Sequence, residues 1–361
     1  MKELFISFLK LGVFAFGGPA AHIAMMNDEY VNRKKWVDGE KFVELMSLTS
    51  LIPGPNSTEM SMQVGYEKAG FKGLVVAGFT FLLPATLITL ILSVLYVEYG
   101  SIPTVTYILV GIQASVVAII LHATFNLGKK CIKVKNDYAI GLIVLVSCLI
   151  GINEVLSLLI GTASGILMKK NNLFSAGPIL SASGLFSVSL KTIFLKFLKI
   201  GSILFGSGYV LIAYLESELV QSGLMPMDVI LDGVAIGQFT PGPVLSTSTF
   251  IGYYMGGYSG AILATLGIFL PSFIFSFLVH FVRNKLTGNA NFDKFLKSIN
   301  AGSMALLLFA CYKILISADL SIEFISILGI SVTLVFLTKK IPSYLMIIIG
   351  GGLSTFLHYI L

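Results

Sequence analysis

Phe8-Leu9-Lys10-Leu11-Gly12 and, 189 positions later, Phe197-Leu198-Lys199-Ile200-Gly201 open two copies of one pattern. The copies stay in step. Phe16-Gly17-Gly18-Pro19 answers Phe205-Gly206-Ser207-Gly208, Pro53-Gly54-Pro55 answers Pro241-Gly242-Pro243, Gly65-Tyr66 answers Gly252-Tyr253, and Pro84 answers Pro271. The offset drifts only from 189 through 188 to 187 across this stretch. So close a register marks an internal duplication.

Composition sets the solvent. The 361 residues are 56% hydrophobic and 12% charged, with a mean hydropathy of +0.91. A soluble chain carries about 25% charged residues, so the expectation is an all-α integral membrane protein. The net charge of +6 sits in loops, where it reports topology rather than a nucleic-acid surface. Cys131, Cys148 and Cys311 lack ligand spacing and read as small apolar residues, with no metal or disulfide expected. Lys2 before an apolar run allows a signal peptide, but Lys10 interrupts that run and a first membrane helix is the expectation. A duplicated apolar unit broken by Gly and Pro at matching places is the signature of a secondary transporter with its site at the repeat interface.

Apolar runs suggest crossings at about 4–26, 73–97, 104–125, 138–152 and 155–168, then 192–215, 258–282, 298–316, 322–337 and 344–360. The Pro-Gly-Pro segments differ. Their arms, such as 42–52 and 56–66, span ~18 Å each against a hydrocarbon core of ~30 Å. Proline also removes an N–H and clashes with the preceding turn. Each segment therefore reads as a re-entrant helical hairpin, tolerated where its tip lines protein or a wet cavity. Arg33, Lys34, Lys35, Lys41, Lys68 and Lys72 flank the first hairpin, whereas Glu216, Glu218, Asp228 and Asp232 flank the second without a Lys or Arg. By the positive-inside rule the hairpins enter from opposite faces. The expected architecture is two inverted-topology repeats of five crossings each, 1–170 and 191–361, around a cytoplasmic linker at 171–190, with both termini outside the cytoplasmic membrane.

Two opposed tips meet near the midplane, and half-helix N-termini there suit an anion. The candidate binding set is Pro53, Gly54, Pro55, Asn56, Ser57 and Thr58 from the first tip and Pro241, Gly242, Pro243, Ser246 and Thr247 from the second. Gly17, Gly18, Gly206 and Ser207 at the helix breaks expose backbone N–H groups. The competing explanations are that these hydroxyls cap their own helices and that the glycines serve close packing. Lys10 and Lys199 form a repeated pair that either counters a dianion or snorkels to the interface. Glu59, whose counterpart is Thr247, is the proton-coupling candidate or a bystander in a wet vestibule. His22 has no titratable counterpart and reads as an interfacial residue.

Phe8–Gly12 followed by Phe16-Gly-Gly-Pro-Ala-Ala-His22-Ile, Trp36 and Ile52-Pro-Gly-Pro-Asn56, together with Gly237-Gln-Phe-Thr-Pro241-Gly-Pro-Val-Leu245 and Thr249-Phe-Ile-Gly-Tyr253, closely resembles the chromate transporter family in its two-repeat form. The likeness spans nearly the whole chain. The resemblance implies export of chromate, a tetrahedral oxyanion like sulfate, driven by the proton-motive force. Glu59 stands where a neutral residue is expected, and Ser207-Gly208 replace the Gly-Pro of the first copy. A sulfate-like uptake carrier or an anion channel on the same fold is the alternative. A membrane-embedded lipid enzyme would want clustered His, Asp or Glu, but His22, His122, His280 and His358 are scattered. No phosphate-binding Gly-x-x-x-x-Gly-Lys-Ser/Thr loop is present. The implied partners are the oxyanion, protons and lipid, with no cofactor and no nucleic acid. A homo-oligomer is compatible with this scheme.

Overall fold

The computed structural model describes the chain except residues 17, 50, 101, 133, 168–188, 206, 207, 287–289, 318–320, 339–342 and 361. Among the described residues all regular structure is helical. The first half comprises α1 (Lys2–Phe14), α2 (Gly18–Met26) running into a π-helical turn (Asn27–Arg33), α3 (Gly39–Thr49), α4 (Asn56–Tyr99), α5 (Pro103–Cys131), α6 (Lys135–Leu149) and α7 (Glu154–Leu167). The second half comprises α8 (Leu190–Ile203), α9 (Leu211–Leu215) with its π-helical turn (Glu216–Val220), α10 (Met227–Phe239) and α11 (Thr247–Leu286). It ends with α12 (Ala290–Ser317), α13 (Ile322–Thr338) and α14 (Ser343–Ile360). The linker expected at 171–190 lies outside the described residues except for its last two.

Among the described residues, four helices are long and apolar enough to cross a membrane: Asn56–Tyr99, Val105–Asn126, Val244–Phe281 and Lys294–Ile316. Their apolar faces turn outward. On α11, Ile262, Leu266, Leu270, Ile274 and Leu278 are all exposed, one every four residues. In water such a stripe forfeits ~25 cal/mol for each Å² left wet. Against acyl chains, as apolar as leucine itself, it costs nothing. This is a membrane protein.

Both long helices are bent double. In α4, Ala69 (φ −149°, ψ 26°) precedes Gly70 (φ 60°, ψ −150°); in α11, Gly256 (φ −156°, ψ 28°) precedes Gly257 (φ 58°, ψ −151°). The second residue of each pair has a left-handed φ that glycine alone adopts cheaply. Gly65 then packs against Gly73 and Ala77, and Gly252 against Gly260 and Ala264. Residues eight apart in one straight helix would stand ~12 Å apart. So the opening turns of α4 and α11 fold back on the long segments that follow.

The expected first crossing, 4–26, is corrected. It is two short helices folded against each other. Glu3 pairs with Lys34 at 3.4 Å, the Ser7 hydroxyl donates to Tyr30 at 3.4 Å, and the Phe8 and Tyr30 rings lie 4.7 Å apart. At 13 residues, α1 is ~20 Å long, too short to cross. The expected crossing at 192–215 fails likewise. The Tyr214 hydroxyl donates to the Ile203 carbonyl at 3.2 Å, and Lys196 reaches Glu218 at 3.1 Å. Hydropathy reads composition and not direction, so a reversal inside an apolar run is invisible to it. The reversals fall between the end of α1 at Phe14 and the start of α2 at Gly18, and between the end of α8 at Ile203 and the helical turn that starts at Gly208.

The halves interlock. α5 packs against α13 and α14, α12 against α6 and α7, and α4 against α11. α1 begins beside Lys34, on the side where Lys41 pairs with Glu67 at 3.4 Å. α8 begins beside the bend of α11, with Leu190 and Ile193 against Gly256.

Candidate functional site

The two Pro-Gly-Pro tips are each held by the opposite half. The Gly54 N–H donates to the Leu204 carbonyl at 2.8 Å, and the Gly242 N–H donates to the Ala15 carbonyl at 2.7 Å. Ala15 and Leu204 are themselves equivalent, 189 apart, and each follows the last turn of α1 or α8. A breaking helix leaves C-terminal carbonyls without partners, and each tip glycine satisfies one. Each tip also rests on the other half's long helix: Gly54 on Ser272 and on Glu59 of its own half, Gly242 on the methyl of Ala85. Each tip is therefore held against a broken chain end and a long helix of the opposite half.

The helices leaving the tips begin without side-chain caps. Their N-cap residues are Pro55 and Pro243, which have no side-chain acceptor to offer. Ser57, Thr58, Glu59, Ser246 and Thr247 are completely buried just beyond. Elsewhere, buried hydroxyls return to their own helix carbonyls, as Thr80, Ser93, Thr124 and Ser303 do at 2.6–2.8 Å. Ser57 Oγ, Thr58 Oγ1, Glu59 Oε2 and Thr247 Oγ1 have no partner at all. A buried polar atom without a hydrogen bond costs ~1–3 kcal/mol, so four in the opening turns beyond the two tips call for a reason. Capping is not that reason for Ser57, Thr58 or Thr247. Ser246 does have a partner, sharing a 3.3 Å bond with the Thr240 hydroxyl, and Ser248 donates to the Leu245 carbonyl at 2.8 Å.

The remaining expected residues fall in two groups. Pro53, Gly54, Pro55, Pro241, Gly242 and Pro243 are buried at the tips, and Asn56 is half-buried. Gly17, Gly206 and Ser207 lie outside the described residues, while Gly18 opens α2. The lysines do not join the tips. Lys199 forms a short ion pair with Glu218, and Lys196 joins the same carboxylate. Lys10 is exposed and lines a cavity of about 450 Å³ with Glu3, Asp28, Glu29, Arg33 and Lys34. The repeated lysine thus faces the acidic π-helical turn of its folded-back helix pair rather than the tips. Glu29 pairs with Lys34 at 3.7 Å, and Arg33 with Asp28 at 2.8 Å.

Several polar residues at the centre were not singled out from sequence. Ser272 donates to Glu59 Oε1 at 3.4 Å, and Gln63 donates to the Ser276 carbonyl at 3.0 Å. Both pairs join residues 213 apart, which no local spacing reveals. His22, expected from sequence to be an interfacial residue, is instead buried, with both ring nitrogens unpartnered, and meets Phe81 edge-on at 5.8 Å. On the far side, Asp232 accepts from Tyr96 at 2.7 Å and from Gln113 at 2.8 Å. It opens on a cavity of about 650 Å³ that Asp228 also lines. No group of His, Cys, Asp and Glu among the described residues could hold a metal.

The model of the chromate transporter family matches this chain twice, over residues 2–167 and 191–356. The chain belongs to the chromate transporter family. It is 30% identical to an uncharacterised transporter of Methanocaldococcus jannaschii over 96% of this chain and 92% of the relative. It is also 30% identical to a chromate transport protein of Pseudomonas aeruginosa, over 84% and 79% of the two chains. A chromate transport protein of Cupriavidus metallidurans is 32% identical over 77% and 73%. No solved structure matches the chain.

Proposed function

We propose that this protein is a secondary transporter that exports chromate, or an oxyanion very like it, from the cytoplasm in exchange for or together with protons. The carrying observation is the set of unpartnered buried donors, Ser57, Thr58 and Thr247, at two uncapped helix starts. Hydroxyl donors and free first-turn N–H groups suit a tetrahedral dianion. Family membership and the names of the Pseudomonas and Cupriavidus relatives favour chromate, and transport rather than enzymatic turnover.

The reciprocal hold of each tip by the other half supports an inverted pair of repeats rocking about a shared site. Basic residues on the side of Lys34, Lys41 and Lys68 make that face cytoplasmic by the positive-inside rule. The acidic cavity of Asp228 and Asp232 then opens outside. On this scheme the N-terminus is cytoplasmic, because Glu3 pairs with Lys34. The expectation of two outer termini is thereby revised. The Pro-Gly-Pro segments are re-entrant, and so are the folded-back pairs of α1 with α2 and α8 with α9. Glu59, buried beside the tip with one oxygen free, exchanges the coupling proton.

The test is radiolabelled chromate uptake into everted membrane vesicles, with and without an imposed pH gradient and with excess sulfate. Gradient-dependent uptake that resists sulfate is the expected result. Uptake abolished by sulfate would make it a general oxyanion carrier. Uptake that never exceeds equilibrium under a gradient would make it a channel. The Glu59→Gln protein is expected to exchange chromate but to ignore the pH gradient.

A further inference from the structure

We infer that a polar stripe on α11, Ser272, Ser276 and His280, conducts protons between Glu59 and the face that carries Lys41 and Glu67. This deepens the proposal that Glu59 exchanges the coupling proton and rests on it.

The three residues recur every fourth position, so they share one face of α11 and rise ~6 Å per step. That face meets the opening turns of α4 in matched pairs. Ser272 donates to Glu59 Oε1 at 3.4 Å. The Ser276 carbonyl accepts from Gln63 at 3.0 Å. The His280 ring stacks on Tyr66 with centroids 3.8 Å apart. The pairs lie in order, from the tip to the surface.

Along this seam the polar atoms are unpaired. Glu59 Oε2, Gln63 Oε1, Ser276 Oγ and His280 Nε2 are all buried without a hydrogen-bond partner. One such atom is an isolated cost of ~1–3 kcal/mol. Four in a row along one helix–helix seam are a built path. The Ser276 hydroxyl leaves even its own helix unused, whereas the buried hydroxyls of Thr80, Ser93 and Thr124 bond the carbonyl four residues back. A rise of ~6 Å is about twice a hydrogen-bond length, the gap that one water bridges, and a buried water needs two to four polar partners.

The chemistry balances without another reactant. A proton taken by one ring nitrogen of His280 is matched by one released from the other. Each serine hydroxyl accepts one proton and donates one. Glu59 ends as the carboxylic acid, and only O–H and N–H bonds change. The reverse sequence discharges it. At the outer end, Tyr66 lies on the His280 ring, and the charges of Lys41 of α3 and Glu67 of α4, paired with each other at 3.4 Å, act on it electrostatically. These groups connect the imidazole to the aqueous face.

The test uses the full chain in proteoliposomes with chromate. Three rates are read: exchange at equal pH, flux driven by a pH gradient, and lumenal acidification by a pH-sensitive dye. His280→Ala and Ser276→Ala are expected to keep exchange within about twofold while driven flux and dye signal fall about tenfold. Added imidazole should restore part of the His280→Ala flux and none of the Ser276→Ala flux. His280→Gln keeps the volume and a hydrogen bond but cannot shuttle, so it should fall as far as alanine. Parental driven flux in His280→Gln would reduce the ring to packing and overturn the path. So would parental driven flux in both alanine variants while Glu59→Gln is uncoupled. If Glu59→Gln itself stays coupled, the assignment of Glu59 fails first and the path falls with it.

Discussion

Two stripes occupy equivalent places on the two long helices and differ in kind. On α11 the stripe is Ser272, Ser276 and His280. On α4 the positions 187 earlier are Ala85, Thr89 and Ser93. The α4 stripe is closed: Ala85 has no polar atom, Thr89 donates to Thr240 at 3.5 Å, and Ser93 donates to the Thr89 carbonyl at 2.6 Å. The α11 stripe carries unpaired atoms and a titratable ring. The tips follow the same division. The first meets Glu59 and Ser272, the second the methyl of Ala85. The backbone keeps its two-fold regularity, down to matching bends at Gly70 and Gly257. Duplication supplies the scaffold, and divergence leaves unpaired polar atoms along one stripe and not the other.

The largest effect should separate the tips. Gly54 (φ +133°) and Gly242 (φ +97°) both need a left-handed φ, so alanine strains either by ~1–3 kcal/mol. At Gly54 the new methyl also strikes the Glu59 carboxyl and the Ser272 hydroxyl. Gly54→Ala is expected to abolish gradient-driven chromate flux. At Gly242 the methyl meets only the Ala85 methyl, at 3.0 Å. Gly242→Ala should lose several-fold, and Ala85→Gly in that background should recover part of it. Equal losses at the two tips, with no recovery, would mean that strain alone governs both.

A smaller contrast lies between hydroxyls. Ser57 and Thr58 have unpaired oxygens, whereas Ser248 is already bonded to Leu245. A hydrogen bond to a charged ligand is worth ~1.5–3 kcal/mol, tenfold or more in affinity. Ser57→Ala and Thr58→Val should each raise the KM for chromate about tenfold, and Ser248→Ala should leave it within about twofold. A uniform response across all three would remove the distinction between free and satisfied donors.

How much of this was legible in the residues depends on distance along the chain. The repeat, the tips and the polar cluster at 56–59 follow from local composition and a constant offset, which survive in a one-dimensional text. The pairs 59–272 and 63–276 do not, because they arise only when α4 and α11 fold together. The fold-back of α1 was obscured for another reason. Phe16 to Ala21 keeps the run apolar through the break, and an apolar run looks the same whether it proceeds or reverses. The length of α1 and the charge of Glu3 opposite Lys34 were the available signs. Lys10 and Lys199 drew attention as a repeated pair, yet Glu218 was needed in space to show where one of the two charges is used.

That pair supplies the smallest expected effect and the sharpest comparison of like with like. Glu218 lies in the π-helical turn, outside the four long apolar helices. Burial works against its charge, but the ammonium groups of Lys199 and Lys196 more than offset this and hold its carboxyl below the ordinary range. A lowered carboxyl contributes stability above its unfolded value and loses it as pH falls through the folded one. Lys199→Ala should therefore destabilise by about 1 kcal/mol or less at neutral pH, because the lysine is half exposed. The deficit should vanish in acid as Glu218 protonates in both proteins. Chromate KM should not move. Lys10 joins no ion pair among the described residues and lines an open cavity on the opposite side, so it acts at long range on an approaching anion. Lys10→Ala should leave stability unchanged and raise KM about twofold at low salt, an effect that added salt erases within a Debye length of ~8–10 Å. A KM shift in Lys199→Ala that matches that of Lys10→Ala would show the two lysines still working as one pair.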